Sequence, residues 1–375
     1  MNNWKKPYKI VQKKKRKQLL WKQTPKQVPF KRKEKLLANL LTTINRPIII
    51  VLVSLMAAII FIPSLIVFPY SDQLDETNPV TVNTDTVEKI EDDVVSVAVL
   101  RTESEKIENV PLETYVARVV ASEMPAEFEH EALKAQSLAA RTYVINYMLQ
   151  KENEESLNIT DREQHQVYKN DTELREQWGE DYQWKMDKIM QAVNETKGEV
   201  LTYEGELITP VYFSTSNGYT ENSEEYWQTE IPYLRSVNSP WDERSPKYKE
   251  QVTFSLTDIK TALNIDLQPG VMHTLEMTKT TGNRVKHLTV NGTSFTGRDI
   301  REKLNLPSSD FSIEQKGDYF IFTTRGYGHG VGMSQYGANG MAEEGKTYEE
   351  IIAHYYKGVT IDEIDDMSRM FVFNE

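Results

Sequence analysis

The chain has 375 residues, of which 27% are charged, and a formal net charge of −12 at pH 7. The length suits one large domain or two modest ones. The chain has no cysteine, which excludes a disulfide framework, a cysteine nucleophile and a zinc site with thiolate ligands.

The N-terminal segment and the rest of the chain carry opposite charge. Residues 1–46 hold 15 Lys or Arg residues and one acid, Glu34, for a net charge of +14. Residues 71–375 hold 29 basic and 55 acidic residues, for a net charge of −26. A basic segment can contact nucleic acid or anionic lipid. Its position directly before an apolar run favours lipid and membrane topology, so we expect no nucleic-acid partner.

Residues 47–70 contain no Asp, Glu, Lys or Arg and are long enough for a membrane span of about 20 residues. The basic flank predicts a cytoplasmic N-terminus and an extracytoplasmic remainder. A cleaved signal peptide is the alternative, but the apolar run is long and no A-x-A-like site follows Tyr70. We therefore predict an uncleaved single-pass anchor, an acidic linker over 71–92 and one domain over 93–375.

The domain begins with a buried-strand pattern over 94–100, followed by a helix that two prolines delimit. Pro111 suits the first turn of this helix, and Pro125 ends it. Further helices are predicted at about 129–151, 183–196, 257–263, 298–304 and 348–357. Further strands are predicted in a hairpin that turns at Gly205, at 250–256, at 274–280 with 284–290, and at 311–324. Because helices and strands are mixed without regular βαβ alternation, we predict an α+β domain with a substrate cleft.

Glu123 ends the apolar stripe of the first predicted helix. Leu112, Val116, Val119 and Val120 fall at i, i+4, i+7 and i+8, and Glu123 falls at i+11 on the same stripe. Desolvation at this position makes a carboxyl easier to protonate, and a neutral carboxylic acid near pH 7 is a ready general acid. The alternative is a carboxylate that only caps or hydrogen-bonds the next helix.

The second predicted helix carries three further candidates. Lys134 and Arg141 are seven residues apart, so both cations can point the same way. They are candidates to bind carboxylates of a substrate, to hold Glu123 by a salt bridge, or to be ordinary surface cations. Gln136 lies on an apolar stripe and needs a partner if it is buried, so we predict that it orients Glu123.

Two later segments contain polar residues in loop-like sequence. Tyr212, Ser214, Ser216 and Asn217 follow a predicted strand, where loops often line sites. Residues 325–340 hold six glycines without matching a phosphate-binding loop. Within this segment, we predict that His329 and Gln335 contact a sugar, and a structural histidine is the alternative for His329.

Four segments resemble, in the same order, the core motifs of the stage II sporulation protein D family: VPLETYVARVVASEMPAEF, EALKAQSLAARTY, VYFSTSNGYTE and RGYGHGVGMSQYGANGMA. With the sequence between them they cover roughly 95–362. Members of this family are murein lytic transglycosylases that act during engulfment of the forespore, and the amidase enhancer proteins are a related branch that shares the domain. The resemblance implies that the segment around Tyr212 forms a wall of a sugar cleft.

The resemblance also implies a mechanism that one carboxyl can carry. Hydrolysing glycosidases need two carboxylates. In a lytic transglycosylase one acid protonates the glycosidic oxygen, and the C6 hydroxyl of the muramic acid attacks the anomeric carbon within the same molecule. Glu123 would be that acid and then the base. Some family members bind zinc through a His/Cys cluster in the loop that corresponds to 160–173, but here only His165 stands in that loop, so we expect no metal and no cofactor.

The leading hypothesis is therefore a membrane-anchored lytic transglycosylase that cuts peptidoglycan glycan strands from the mother-cell side. A glycan-binding activator of a cell-wall amidase and a structural membrane tether are the alternatives. The resemblance implies as partners the sporulation amidase, stage II sporulation protein P, and the membrane protein stage II sporulation protein M.

Overall fold

The computed structural model describes residues 95–150 and 158–364, and these residues form two hydrophobic cores. The predicted tail over 1–46, anchor over 47–70 and linker over 71–92 lie outside the described residues. Within the described ranges, no helix combines the length and apolar character that crossing a membrane requires.

The helices of the described residues follow the predicted positions closely. They are α1 (Leu112–Glu123), α2 (His130–Gln150), α3 (Asp171–Trp178), α4 (Tyr182–Glu195), α5 (Ser223–Trp227), α6 (Leu256–Leu263), α7 (Gly297–Lys303), α8 (Gln335–Glu343) and α9 (Tyr348–Tyr355). Short 3-10 turns cover Gly179–Asp181 and Pro240–Arg244. Of the α-helices, α3, α5 and α8 were not predicted.

The strands are short and form several small sheets. They are β1 (Ser96–Arg101), β2 (Lys106–Pro111), β3 (Ile159–Thr160), β4 (Glu199–Tyr203), β5 (Glu206–Leu207), β6 (Tyr212–Phe213), β7 (Lys249–Ser255), β8 (Leu275–Lys279), β9 (Val285–Val290), β10 (Thr293–Thr296), β11 (Phe311–Lys316), β12 (Tyr319–Arg325), β13 (Met333–Ser334) and β14 (Thr360–Glu363). The sheet orders are β2-β1-β3, β14-β4-β5, β13-β6, β11-β12-β7 and β10-β9-β8. This mixture confirms the α+β prediction.

Two strand predictions change in detail. The hairpin that turns at Gly205 exists, but its second arm is only β5, and β6 leaves the hairpin to pair in parallel with β13. The predicted strand at 311–324 is two antiparallel strands, because the chain turns at Gly317, whose φ is +57°. Glycine adopts such left-handed backbone without a steric cost.

The larger core contains α1, α2, α4, α8 and α9 with β1 and β4, and the smaller core contains α6 and α7 with β9, β11 and β12. Helix α1 ends at Glu123 because Met124 precedes Pro125 and is extended, with φ −119° and ψ 143°. The side of α1 that faces the core is apolar and buried. The last side chain of the helix therefore stands where the core meets the surface.

Candidate active site

A cleft of about 660 Å³ opens beside the C-terminal end of α1. Charged and polar residues lining it are Glu123, Glu163, Gln164, His165, Gln166, Ser214, Lys247, Arg301, His329 and Gln335. Aromatic residues lining it are Phe128, Tyr143, Tyr212, Phe213, Trp227, Tyr327 and Tyr336. Aromatic faces beside a few polar groups are typical of ligand clefts.

The Glu123 carboxyl is half-buried in this cleft. Burial raises its pKa to about 6, and the negative charge of Glu163 raises it further. The Val167 N–H donates to Glu123 Oε1 at 3.2 Å and opposes this rise, as does the Gln335 amide. Gln335 Nε2 lies in the interior but makes no hydrogen bond of normal geometry with the described residues, so its effect on Glu123 is the weaker one. At this pKa a useful fraction of the carboxyl is protonated near neutral pH.

Tyr212, Ser214 and Gln335 line the same cleft as Glu123, as the sequence predicted for a site wall. Burial, followed by the charge of Glu123, raises the pKa of the Tyr212 hydroxyl, which places this hydroxyl within electrostatic reach of the acid. Gln166 Nε2 donates to the Tyr212 hydroxyl oxygen at 3.3 Å. The polar wall beside Glu123 therefore comes from β6, from the start of α8 and from the loop that contains Gln166.

A close backbone approach holds this wall together. Gly332 has φ +79°, and a Cβ at this position would lie 2.0 Å from the carbonyl oxygen of Val211. A side chain there would push β13 away from β6. The glycine thus allows the pairing that sets Tyr212 beside the first residue of α8.

His329 lines the cleft, but its ring nitrogens are both occupied. Nδ1 accepts from the Val331 N–H at 3.1 Å, so Nε2 carries the proton and donates to the Tyr212 carbonyl at 3.1 Å. Burial lowers the pKa of the imidazole to about 4, and the positive charge of Arg301 adds to this effect. A neutral histidine with two satisfied nitrogens fits the structural alternative better than the predicted sugar contact.

Ser216 and Asn217 do not line the cleft. Both are buried. The Ser216 hydroxyl donates to Asp242 Oδ2 at 2.8 Å, and Asn217 Nδ2 donates to the Gly282 carbonyl and to Asp310 Oδ2, each at 3.0 Å. The predicted contacts with substrate are therefore corrected to internal hydrogen bonds, because the strand exit turns these two side chains inward.

The three candidates on α2 also lie away from the cleft. Arg141 is fully buried and pairs with Glu113, with Nη2 to Oε2 at 2.7 Å. Lys134 pairs with Glu131 and Glu195 at 3.1 and 3.0 Å. These pairs replace both predicted roles, since neither cation forms a salt bridge with Glu123 in the described residues.

Gln136 is buried without the predicted partner. Its side chain is 0% exposed, and neither amide atom makes a hydrogen bond within residues 95–150 and 158–364. The predicted orientation of Glu123 by Gln136 is therefore corrected: the groups that act on the carboxyl are Val167 and Gln335.

Sequence reasoning missed much of the cleft. Its rim includes Glu163, which is exposed, and the cations Lys247 and Arg301. The polar stretch over 161–173 was a loop signal that could have suggested the first of these. Nothing local distinguishes Lys247 or Arg301 from other surface cations, because their place in the cleft depends on the fold.

In the described part of the chain, no group of three or more His, Asp or Glu side chains is arranged to hold a metal ion. His165, the residue at issue, accepts at Nδ1 from the Thr160 N–H at 3.1 Å and its ring contacts Tyr147 edge-on. The expectation of no metal remains a prediction.

A family model described as "Stage II sporulation protein" matches residues 101–203. The chain is 46% identical over 323 residues to "Stage II sporulation protein D" of Bacillus subtilis (strain 168), an alignment that covers 83% of this chain and 94% of that protein. The chain belongs to the stage II sporulation protein D family. The protein of the same name from Bacillus amyloliquefaciens is 44% identical over 334 residues, or 85% of this chain and 97% of that protein.

A more distant relative has a different name. The "Amidase enhancer" of Bacillus subtilis (strain 168) is 29% identical over 301 residues, which cover 65% of this chain and 39% of that protein. The family resemblance found in the sequence motifs is thus confirmed. The family's motifs include α1 with Glu123, the Tyr212 strand and the glycine-rich segment, and all three meet at the cleft.

Proposed function

We propose that this member of the stage II sporulation protein D family is a membrane-anchored lytic transglycosylase that cleaves peptidoglycan glycan strands during forespore engulfment. The observation that carries the proposal is Glu123, a carboxyl with a pKa raised to about 6 at the edge of an aromatic-lined cleft. Residues 1–70 supply the anchor in this proposal, and the domain acts outside the cytoplasm of the mother cell.

The chemistry needs only one acid. Protonated Glu123 gives its proton to the oxygen between N-acetylmuramic acid and N-acetylglucosamine, and that bond breaks. The C6 hydroxyl of the muramic acid bonds to its own anomeric carbon, and Glu123 takes the hydroxyl proton. The acid is regenerated, and the product is a 1,6-anhydro sugar. Because the attacking group belongs to the substrate, no water or protein nucleophile must be positioned.

The cleft wall supports this role. Tyr212, Ser214 and Gln335 lie beside Glu123 as hydrogen-bonding groups for the sugar. Trp227, Tyr327 and Tyr336 offer ring faces for its apolar side. Glu163 lines the same cleft, but the intramolecular mechanism gives it no covalent or proton-transfer role.

A second function is favoured by the amidase enhancer relative. In this alternative the cleft grips glycan and stimulates a cell-wall amidase without cutting. Glycan binding by the Glu123→Gln variant is expected under both functions. Glycan cutting by the unmodified chain is expected under the first alone.

The test is digestion of purified sacculi by the full chain in detergent. We expect Glu123→Gln to lower fragment release by at least about 10²-fold, the scale of a lost general acid, while binding to sacculi persists. Glu127→Gln is the matched control, because Glu127 is exposed and pairs with Lys185 outside the cleft. Release by Glu123→Gln within a few-fold of the unmodified chain would remove Glu123 as the acid.

A further inference from the structure

Arg301 differs from the other sheltered arginines of the structure. Within the described residues, the arginines that are not exposed are Arg101, Arg118, Arg141, Arg235, Arg284 and Arg301. The first five have a carboxylate within 4.0 Å. Arg301 has none in residues 95–150 and 158–364, although desolvated cations ordinarily require a counter-charge.

Neutral groups hold the Arg301 side chain in place. Nε donates to the Pro307 carbonyl and Nη1 donates to the Tyr226 hydroxyl, each at 3.3 Å. The guanidinium on α7 is therefore oriented before any ligand arrives. It lines the Glu123 cleft, and its positive charge acts on His329 in the same wall.

The rest of this wall offers no anion to Arg301. The neighbouring cation that also lines the cleft, Lys247, lies over the Tyr327 ring at 4.7 Å and has no acidic partner among the described residues. The cleft thus has its acid at Glu123 and uncompensated positive charge at Arg301 and Lys247. A ligand that completes it carries a carboxylate or another anion.

We propose that Arg301 binds the free lactyl carboxylate of N-acetylmuramic acid and so makes the cleft select glycan whose stem peptides have been removed. The inference rests on the proposed function, since it assumes a peptidoglycan strand in the cleft. A planar guanidinium matches a carboxylate through paired N–H donors. When a stem peptide is attached, the same carbon is a neutral amide that cannot supply the counter-charge.

The test measures binding, independently of cutting. The full chain with Glu123→Gln is titrated with soluble N-acetylglucosamine–N-acetylmuramic acid oligosaccharides, either with free lactyl carboxylates or with these converted to methylamides. We expect tighter binding of the free acid by roughly 10-fold to 100-fold, the range for a hydrogen bond to a charged group. Adding Arg301→Gln should abolish this preference, and Arg301→Lys should retain part of it, because charge remains without the fork.

Lys303→Gln is the matched control, because Lys303 lies on the same helix but outside the cleft and should keep the full preference. Melting temperatures of all variants establish that each is folded, and Arg301→Lys serves if Arg301→Gln is not. A preference that survives both Arg301 substitutions, or is absent from the Glu123→Gln parent, would overturn the inference alone. Binding of neither oligosaccharide by the parent would overturn the proposed function together with it.

Discussion

At the scale of single residues, the Glu123 carboxyl is distinguished by where its raised pKa lies. Among the described acids, burial also raises the pKa of Glu199 and Asp242. Asp242 accepts from the Ser216 and Ser239 hydroxyls in the interior, and Glu199 accepts from Tyr348. Neither lines the cleft. Only at Glu123 does the desolvated acid face a space that a ligand can occupy.

The pH dependence of cutting should report this acid. The protonated carboxyl is the active form, so activity is full at low pH and is lost as pH rises through about 6. We expect kcat/KM on denuded glycan to fall about tenfold per pH unit well above this value. Rates measured from pH 4.5 to 8.5 in buffers of constant ionic strength would check it. A rate that is flat between pH 5 and 8 would contradict a general acid with this pKa.

Protein stability should show the same group with the opposite dependence on substitution. The folded pKa of Glu123 lies above its ordinary value, so the carboxyl favours folding when protonated and opposes it when charged. Glu123→Gln should therefore raise the free energy of unfolding at pH 8 by roughly 1–2 kcal/mol. The gain should vanish below pH about 4.5, where both states of the unmodified chain are protonated. Urea unfolding at the two pH values measures it, and equal stability at pH 8 would show that Glu123 is not desolvated.

At the scale of the elements, the sequence patterns located helices better than they located the site. Helices α1, α2 and α4 were predictable because their apolar spacing and flanking Pro or Gly residues are local signals. Helix α8 was missed because Gly337 and Gly340 lower its helix propensity. A Cβ at Gly340 would lie 2.3 Å from the Trp241 Cβ, so tertiary packing requires the residue that the local signal disfavours.

Glu123 was predictable because a helix stripe and a following proline fix its position, whereas the companions assigned to it on α2 were not. Residues seven apart on a helix share a face, but the spacing does not say what that face meets. Arg141 meets Glu113 and the end of α4, where Nη2 also donates to the Val193 carbonyl at 3.1 Å. The cleft cations Lys247 and Arg301 come from distant segments and had no local signature.

The buried pair between α1 and α2 should dominate the stability of the larger core. Glu113→Gln removes the charge that compensates the fully buried Arg141 guanidinium. Breaking a buried pair costs about 3–5 kcal/mol, which urea unfolding would measure. Lys134→Gln is the control, since its ion pairs are partly exposed and worth about 1 kcal/mol or less. A loss below about 1 kcal/mol for Glu113→Gln would show that the pair does not fix α1 against α2.

At the scale of the whole molecule, the acidic chain beyond the proposed anchor bears on partners. Residues 71–375 carry a net charge of −26, which opposes adhesion to an anionic wall and favours a basic partner. The proposal includes direct binding to the sporulation amidase, stage II sporulation protein P, with stage II sporulation protein M in the same membrane. The amidase would remove stem peptides and expose the carboxylates that Arg301 selects.

This partnership predicts synergy in solution. The full chain and the amidase together should digest sacculi faster than the sum of the two alone, and their co-purification should weaken as salt rises, because screening reduces charge attraction. Turbidity and pull-down assays at low and high salt measure both effects. Strictly additive digestion without co-purification at any salt would remove the partnership and leave the activity of the single chain unaffected.

The most direct test of the account is the chemical identity of the sugar ends that the full chain releases from purified sacculi, measured by mass spectrometry. Transfer within the muramic acid predicts fragments that end in 1,6-anhydro-N-acetylmuramic acid, with no incorporation of ¹⁸O from labelled water at those ends. Reducing N-acetylmuramic acid ends that carry ¹⁸O would mean hydrolysis, in which Glu163 beside Glu123 would supply the second carboxylate, and would contradict the single-acid mechanism.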